Sequence, residues 1–417
     1  MPRGTAVLLA GALLAACGGG EKTPAYVDVR GRVVGIHGRP LANVKVSVAG
    51  GAAVVTGADG TFSADHVKVP YDALIGVPSA ASGFVAWGGA WLGLRRADPV
   101  LVALTPFAEG PVTGGTVCTT FAAGSATRSV AGIGSDGLLF DASADCVYMA
   151  LRSGTTEMVS LRAITLTYDA RPGGFAGYGT QGSAGPVSLS PDQHLDLPPM
   201  VMSPVGTLWK DVTISAPDAS ETTLTGQVTY AGVRLQRPYD GATPVPTNAS
   251  PPWKIPIPDA GPARLRAEVL ASFPDGRYAV ASRTFSAADA GGGAWAVSLP
   301  GAFGLTSPAP DGTLPRSGAL AWKQPVPGLV SVVELTPGNG IPFAIVTGGE
   351  SVAVPDFSLV GVPVGRNLYW RVTGIGPNAT VDDHASAEEF GLGYLVPQST
   401  AERVYTSSTW STFSFAP

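Results

Sequence analysis

From Tyr26 onward, apolar and polar residues alternate with the period of two that marks a half-buried strand: Val27 and Val29, then Val44, Val46 and Val48. Between these runs, Gly38 and Pro40 in "HGRPL" supply a turn, and Asp59-Gly60 in "GADGTF" supplies a tight reversal ahead of Phe62. Comparable runs recur to the end of the chain. They include "CVYMALRSG", "MVSLRAITLTYDA", "LTGQVTYAG", "ARLRAEVLASFPDGRYAVASRTF", "AWAVSLP", "LVSVVEL" and "RNLYWRVTGIGPNA". No stretch beyond the first 16 residues carries a long helical period. The pattern therefore predicts an all-β chain of tandem β-sandwich domains. Two segments break the alternation: "GPVSLSPDQHLDLPPMVMSPV" reads as short edge strands or linker, and "ATPVPTNASPPWKIPIPDAGP" as a long exposed loop.

Punctuation by 55 glycines and 37 prolines divides the chain into segments 26–105, 106–218, 219–305 and 306–417, with no fixed repeat period. A length of 417 residues accommodates that number of domains. Hydrophobic residues at 45% and charged residues at 14% exclude a mainly disordered chain. The net charge of -5 supplies no basic field, so no nucleic-acid partner is expected.

The first 16 residues differ from the rest. Arg3 precedes an apolar run from Thr5 to Ala16, which is shorter than the roughly 20 residues needed to span a bilayer and has the layout of a cleaved signal peptide, residues 1–16. Leu14-Ala15-Ala16-Cys17 resembles the bacterial lipobox, in which the cysteine thiol is acylated and becomes the first mature residue. That resemblance implies a lipid (palmitate-type) anchor on Cys17, a Gly-rich tether over residues 17–25, and the membrane as a partner. Gly18 stands where the inner-membrane retention aspartate would be, which favours the outer membrane, facing the periplasm or the surface. The remaining pair, Cys118 and Cys146, is expected to form a disulfide in an oxidising compartment, worth about 3–4 kcal/mol on the loop-closure model. Two buried free thiols are the alternative.

Gly31 and Val33, then Gly38, Pro40, Leu41, Val44 and Val46, then Thr56, Asp59, Gly60 and Phe62 together resemble the carboxypeptidase regulatory-like domain, a transthyretin-like β-sandwich. In metallocarboxypeptidases such a domain accompanies a zinc enzyme with an H-x-x-E pair. Here His37, His66, His194 and His384 are followed three residues later by Pro40, Val69, Leu197 and Ala387. No metal site is expected, since one built on histidine would need distant residues to converge. In segment 306–417, Trp322 on an early strand and Tyr369, Trp370 and Val372 on a late one resemble a fibronectin type III or immunoglobulin-like sandwich. That resemblance implies a tryptophan and a tyrosine packing the core, with the tyrosine hydroxyl closing a corner.

No G-x-S-x-G, Walker A, H-E-x-x-H or C-x-x-C motif occurs, and no catalytic residue or cofactor is expected. Asp59-Gly60, Asp275-Gly276 and Asp311-Gly312 read as turns, and Asp382-Asp383 beside His384 as a surface loop. Trp87 and Trp91 in "FVAWGGAWLGL" lie on one face of a strand. They form either a sugar-stacking ligand platform or the filling of a sandwich core or interdomain seam. Together these readings predict a non-enzymatic, membrane-anchored lipoprotein serving as a structural or binding element of the cell envelope. The alternative is a carbohydrate- or peptide-binding module on the cell surface, with a glycan or envelope protein as partner.

Overall fold

The computed structural model describes residues 25–35, 38–79, 82–105, 112–121, 127–133, 141–142, 146–152, 156–168, 175–230, 233–234, 244–245, 253–261, 263–338, 340–377, 380–386 and 403–416. The fold is all-β. Among these residues, six sheets build four sandwiches, because one 15-stranded sheet serves three of them. No helix among the described residues is long and apolar enough to cross a membrane.

The first sandwich shows why its turn residues are spaced as they are. Strands Thr61–Lys68, Tyr26–Val34 and Val100–Val102 form one layer, facing Val85–Leu94, Tyr71–Pro78, Lys45–Val48 and Val54–Val55 in the other. Gly31 pairs with Phe62 across the sheet, and the Phe62 ring lies where a Gly31 Cβ would be, 2.2 Å from it at the nearest atom. Gly60 has φ +73°, and its missing side chain lets the Val33 carbonyl approach. Buried Thr56 donates to the Leu41 carbonyl at 2.7 Å and accepts from the Val44 N–H at 3.0 Å, closing the loop between two strands. Val29, Val33, Val44, Val46, Ile75 and Trp91 fill the space between the layers.

The second sandwich pairs a five-stranded sheet around Glu157–Tyr168 with a three-stranded sheet of Cys146–Arg152, Val112–Phe121 and His194–Met200. Of the proline-punctuated segment, His194–Met200 and Met202–Pro204 are edge strands, as the sequence pattern allows, whereas its first proline, Pro186, lies in the inner strand Phe175–Leu189. The third sandwich sets Trp253–Asp259, Gly206–Ser215 and Trp295–Ser298 against Glu221–Tyr230, Ala263–Ser272 and Tyr278–Phe285. Here the expected long loop is in part a strand. Trp253–Asp259 pairs antiparallel with Gly206–Ser215, and its Ile255 and Ile257 are fully buried. Pro256 and Pro258 are tolerated because the strand is at a sheet edge, where an outer row of N–H groups has no partner to lose.

The fourth sandwich packs Gly304–Ser307, Ala319–Lys323 and Ser351–Ala353 over Val330–Pro337, Phe343–Thr347 and Asn367–Gly376. Trp322 is buried and donates its indole N–H to Ser331 Oγ at 3.1 Å. The late strand sits one residue away from the expected register: Trp370 is fully buried, while Tyr369 is 51% exposed and packs no core. Because side chains alternate faces, that single step decides which aromatic points inward.

The shared sheet joins segments that the sequence separates. Tyr278–Phe285 pairs antiparallel with Arg403–Ser407, which pairs with Asn367–Gly376. At the other end Phe343–Thr347 runs parallel to Val85–Leu94, with Phe343 opposite Gly88 and Val346 opposite Trp91. The strands Tyr71–Pro78 and Val85–Leu94 are therefore covered on both faces. One face carries the first core, and the other meets the fourth sandwich through Leu74, Gly76, Gly88 and Ala90. A one-turn helix, Val381–His384, ties the same parts together: Asp382 Oδ1 accepts the Arg95 and Arg96 backbone N–H groups, at 2.8 and 3.0 Å. The expected surface loop is thus a latch, with His384 buried beneath it.

Candidate functional site

Cys17, with the leader and the tether as far as residue 24, lies outside the described residues. Trp87 and Trp91 do share a strand face, and Gly89 sits between them with both indoles where its Cβ would project. The two rings are 5% and 2% exposed within the first core, so neither presents a face to a ligand. Their placement is that of core filling, because this face of the strand is the one covered by the opposing layer of the first sandwich, through Val29, Val33 and Leu101.

An exposed aromatic surface exists elsewhere, on the strand Asn367–Gly376 in the middle of the same shared sheet. Between Thr373 opposite Ser407 and Trp370 opposite Ser411, the strand carrying Arg371 and Val372 faces three residues, Ser408 to Trp410. This is a bulge, held by reciprocal bonds between Val372 and Ser408: N–H to Oγ at 3.0 Å and N–H to carbonyl at 2.8 Å. The bulge turns Trp410 over Arg371, whose guanidinium lies 4.7 Å from the ring centroid. Glu334, directly opposite on the neighbouring strand, accepts from Arg371 Nε at 2.9 Å and lies 2.7 Å from its Nη2. Burial works against the Arg371 charge, but Glu334, with Tyr405 and Tyr278 adding to it, holds the guanidinium above its ordinary pKa.

Tyr405 and Tyr278 stack beside this group at 5.5 Å with hydroxyls 2.9 Å apart, and burial pushes the Tyr405 phenol well above its usual range. Trp410 is 48% exposed, and Tyr369, two residues before Arg371 on the same strand face, is half exposed. The result is a fixed arginine–carboxylate pair flanked by two half-exposed aromatic rings. Such a surface can stack against a flat apolar face while charged groups meet hydroxyls at its edge.

Three other places collect polar chemistry. Cys118 and Cys146 are bridged across directly opposed strand residues. On the outer face of that sheet, His194 Nε2 lies 3.5 Å from Cys118 Sγ and 3.4 Å from Asp196 Oδ1. His384 is buried with no hydrogen-bond partner for either ring nitrogen among the described residues. Burial, with Arg403 adding to it, lowers its pKa from 6.5 to about 4. A cavity of about 310 Å³ is lined by Arg316, Val354, Pro355, Asp356 and Phe415 among others. Its polar groups are already engaged, Asp356 accepting from the Ser358 N–H and Arg316 lying over the Phe415 ring.

Sequence reasoning missed Arg371, Trp410 and the His194–Asp196 pair. The one local signal for the last was "HLD", an i, i+2 pair on one strand face. The bulge that positions Trp410 has none, since "SSTWS" reads only as polar.

Fold and surface together define an all-β protein of several packed sandwiches. No known family's sequence profile matches the chain, and no curated protein is similar to it. Among solved structures, the chain was compared with the crystal structure of a tetra-tandem repeat in the extending region of a large adhesion protein. The two are 12% identical, with 85% of this chain and 96% of that chain covered and a TM-score of 0.14. At that score the likeness carries no functional argument.

Proposed function

We propose that the chain is a non-enzymatic lipoprotein, anchored through Cys17 to the outer membrane of a bacterial envelope, where its fused sandwiches form a structural and binding element. The observation that carries this reading is the run Leu14-Ala15-Ala16-Cys17, a nucleophilic thiol behind a short apolar segment and ahead of three glycines. The Cys118–Cys146 bridge supports an oxidising compartment. The transthyretin-like resemblance of residues 26–105 supports a structural module, since its motif residues make turns and core. Metabolic labelling with a palmitate analogue, followed by membrane fractionation, tests the anchor. Wild type is expected to be labelled and membrane-bound, and Cys17→Ser unlabelled. Label-free wild type in the culture fluid overturns the reading.

A second reading, a carbohydrate-binding module, is favoured by the exposed Trp410 and Tyr369 rings beside the Arg371–Glu334 pair. Screening on a glycan array with tryptophan fluorescence as readout is expected to show binding that Trp410→Ala abolishes. Silence across the array, or binding unaffected by that substitution, removes it.

A further inference from the structure

The outer face of the second sandwich gathers a sulfur, an imidazole and a carboxylate from two strands. Cys118 lies on Val112–Phe121, and His194 and Asp196 lie on His194–Met200, which runs parallel beside it with Asp196 opposite Cys118. One ligand-type atom from each of the three falls within 4.8 Å of the others. Cys146 stands directly across from Cys118 on the other neighbouring strand. Three groups of zinc-ligand type therefore meet on two adjacent strands, and Cys146 is joined to the first of them through the bridge.

The spacing fits an ion. A tetrahedral zinc about 2.3 Å from sulfur and about 2.0 Å from nitrogen or oxygen holds an S,N pair about 3.5 Å apart and an N,O pair about 3.3 Å apart. Cys118 Sγ and His194 Nε2 are 3.5 Å apart, and His194 Nε2 and Asp196 Oδ1 are 3.4 Å apart. His194 and Asp196 have side chains 58% and 82% exposed, which leaves an open approach from solvent. In the bridged state the cluster lacks thiolates, because both sulfurs are spent on each other.

We propose that reduction of the Cys118–Cys146 bridge converts this cluster into a site for a zinc-type divalent cation, with Cys118, Cys146, His194 and Asp196 as its ligands. The reductant is a dithiol. Its thiolate attacks Cys146, the more accessible of the two residues, forming a mixed disulfide and expelling Cys118 as a thiolate beside the His194 ring. The second thiol of the reductant then closes its own disulfide and releases Cys146. Two electrons and two protons pass from the dithiol to the protein, and the reductant leaves oxidised. The cation then displaces the remaining thiol protons and is held by two thiolates, the neutral imidazole and the carboxylate. The inference is independent of the anchor and of the glycan reading.

The test uses the purified full chain, either oxidised or reduced with dithiothreitol and desalted without oxygen. Zinc uptake is measured by titration, and cobalt(II) reports thiolate ligation through its charge-transfer absorption. The reduced chain is expected to bind one zinc ion with thiolate-to-cobalt absorption, and the oxidised chain none at the same concentration. His194→Ala and Asp196→Asn are each expected to weaken uptake, the former by more than about 100-fold. Equal binding by the oxidised chain, or reduced binding untouched by His194→Ala, overturns the proposal. Circular dichroism monitors the fold throughout. Should reduction unfold the chain, Cys146→Ser presents Cys118, His194 and Asp196 without reduction, and is expected to bind zinc more weakly but still with His194 dependence. Failure of that variant to bind zinc, or its failure to fold, overturns the proposal as well.

Discussion

A single added methyl group at Gly76 probes the joint between the first and fourth sandwiches. A Cβ there would lie 2.2 Å from the Val360 carbonyl oxygen and 3.1 Å from the Val360 carbonyl carbon. Ordinary contact requires the neighbour to withdraw by about 1 Å. The neighbour is backbone, the last residue of the short 3-10 helix Phe357–Val360, and it is fixed at both ends. Asp356 caps the start through the Ser358 N–H at 3.0 Å, and Gly361 ends it with φ +80°. Phe357 is fully buried against Phe343, ring centroids 4.8 Å apart, so the helix cannot retreat without unseating it. Overpacking of this kind costs about 1–3 kcal/mol, and alanine regains about 0.5–1 kcal/mol over glycine within a strand. A 2.2 Å approach to fixed backbone puts the cost in the upper part of that range, about 2–3 kcal/mol, so the net expectation for Gly76→Ala is a loss of about 1–2.5 kcal/mol, read as a lower urea midpoint by tryptophan fluorescence at pH 7. Gly348→Ala, where a Cβ meets nothing within 4 Å, is the matched control and is expected to stay within about 0.5 kcal/mol of wild type. If Gly76→Ala is as silent as the control, the approach of Val360 to the shared sheet is not maintained in solution and the reasoning fails.

Burial of neutral His384 sets a pH dependence. Its folded pKa of about 4 lies below the ordinary 6.5, so the unfolded chain binds the extra proton, and stability present above pH 6.5 is lost as pH falls toward 4. The loss between pH 7 and pH 5 is about 2 kcal/mol, to be read from urea midpoints at the two pH values, and His384→Leu is expected to remove that increment. Thr56→Val leaves the Leu41 carbonyl and the Val44 N–H without their partner and is expected to cost about 2–4 kcal/mol in urea unfolding, with Thr56→Ser close to wild type. Because the first, third and fourth sandwiches share one sheet, calorimetry is expected to show them melting together and the second sandwich separately. Four resolved transitions, or a single one, contradict that division.

The first sandwich was legible because its determinants are local. Gly31 with Phe62, Thr56 with the loop ahead of Val44, and Gly60 in its left-handed turn each act within about 35 residues along the chain. The bridge between Cys118 and Cys146 followed from counting thiols. The shared sheet was not legible, since Phe343 pairs with Gly88 through backbone groups that every sequence possesses. Its trace in the sequence is the small residues Gly76, Gly88 and Ala90 on one face, which read equally well as turn or filler. The tryptophan pair shows the same limit, because the strand period placed Trp87 and Trp91 on one face without showing that another layer covers it. Tyr369 and Trp370 exchanged roles on a one-residue difference in register, and Arg371 met Trp410 only because a bulge turned that ring.

The parallel pairing of Val85–Leu94 with Phe343–Thr347 constrains how the chain is made. The early strand's partner emerges about 250 residues after it, so at roughly 5–20 residues per second the ribosome delivers it some 10–50 s later. Through that interval the outer row of amide and carbonyl groups on Val85–Leu94 stays unpaired, the kind of template on which nascent chains aggregate. A truncation lacking the final quarter removes Phe343–Thr347 and leaves that edge of Val85–Leu94 without its partner for good.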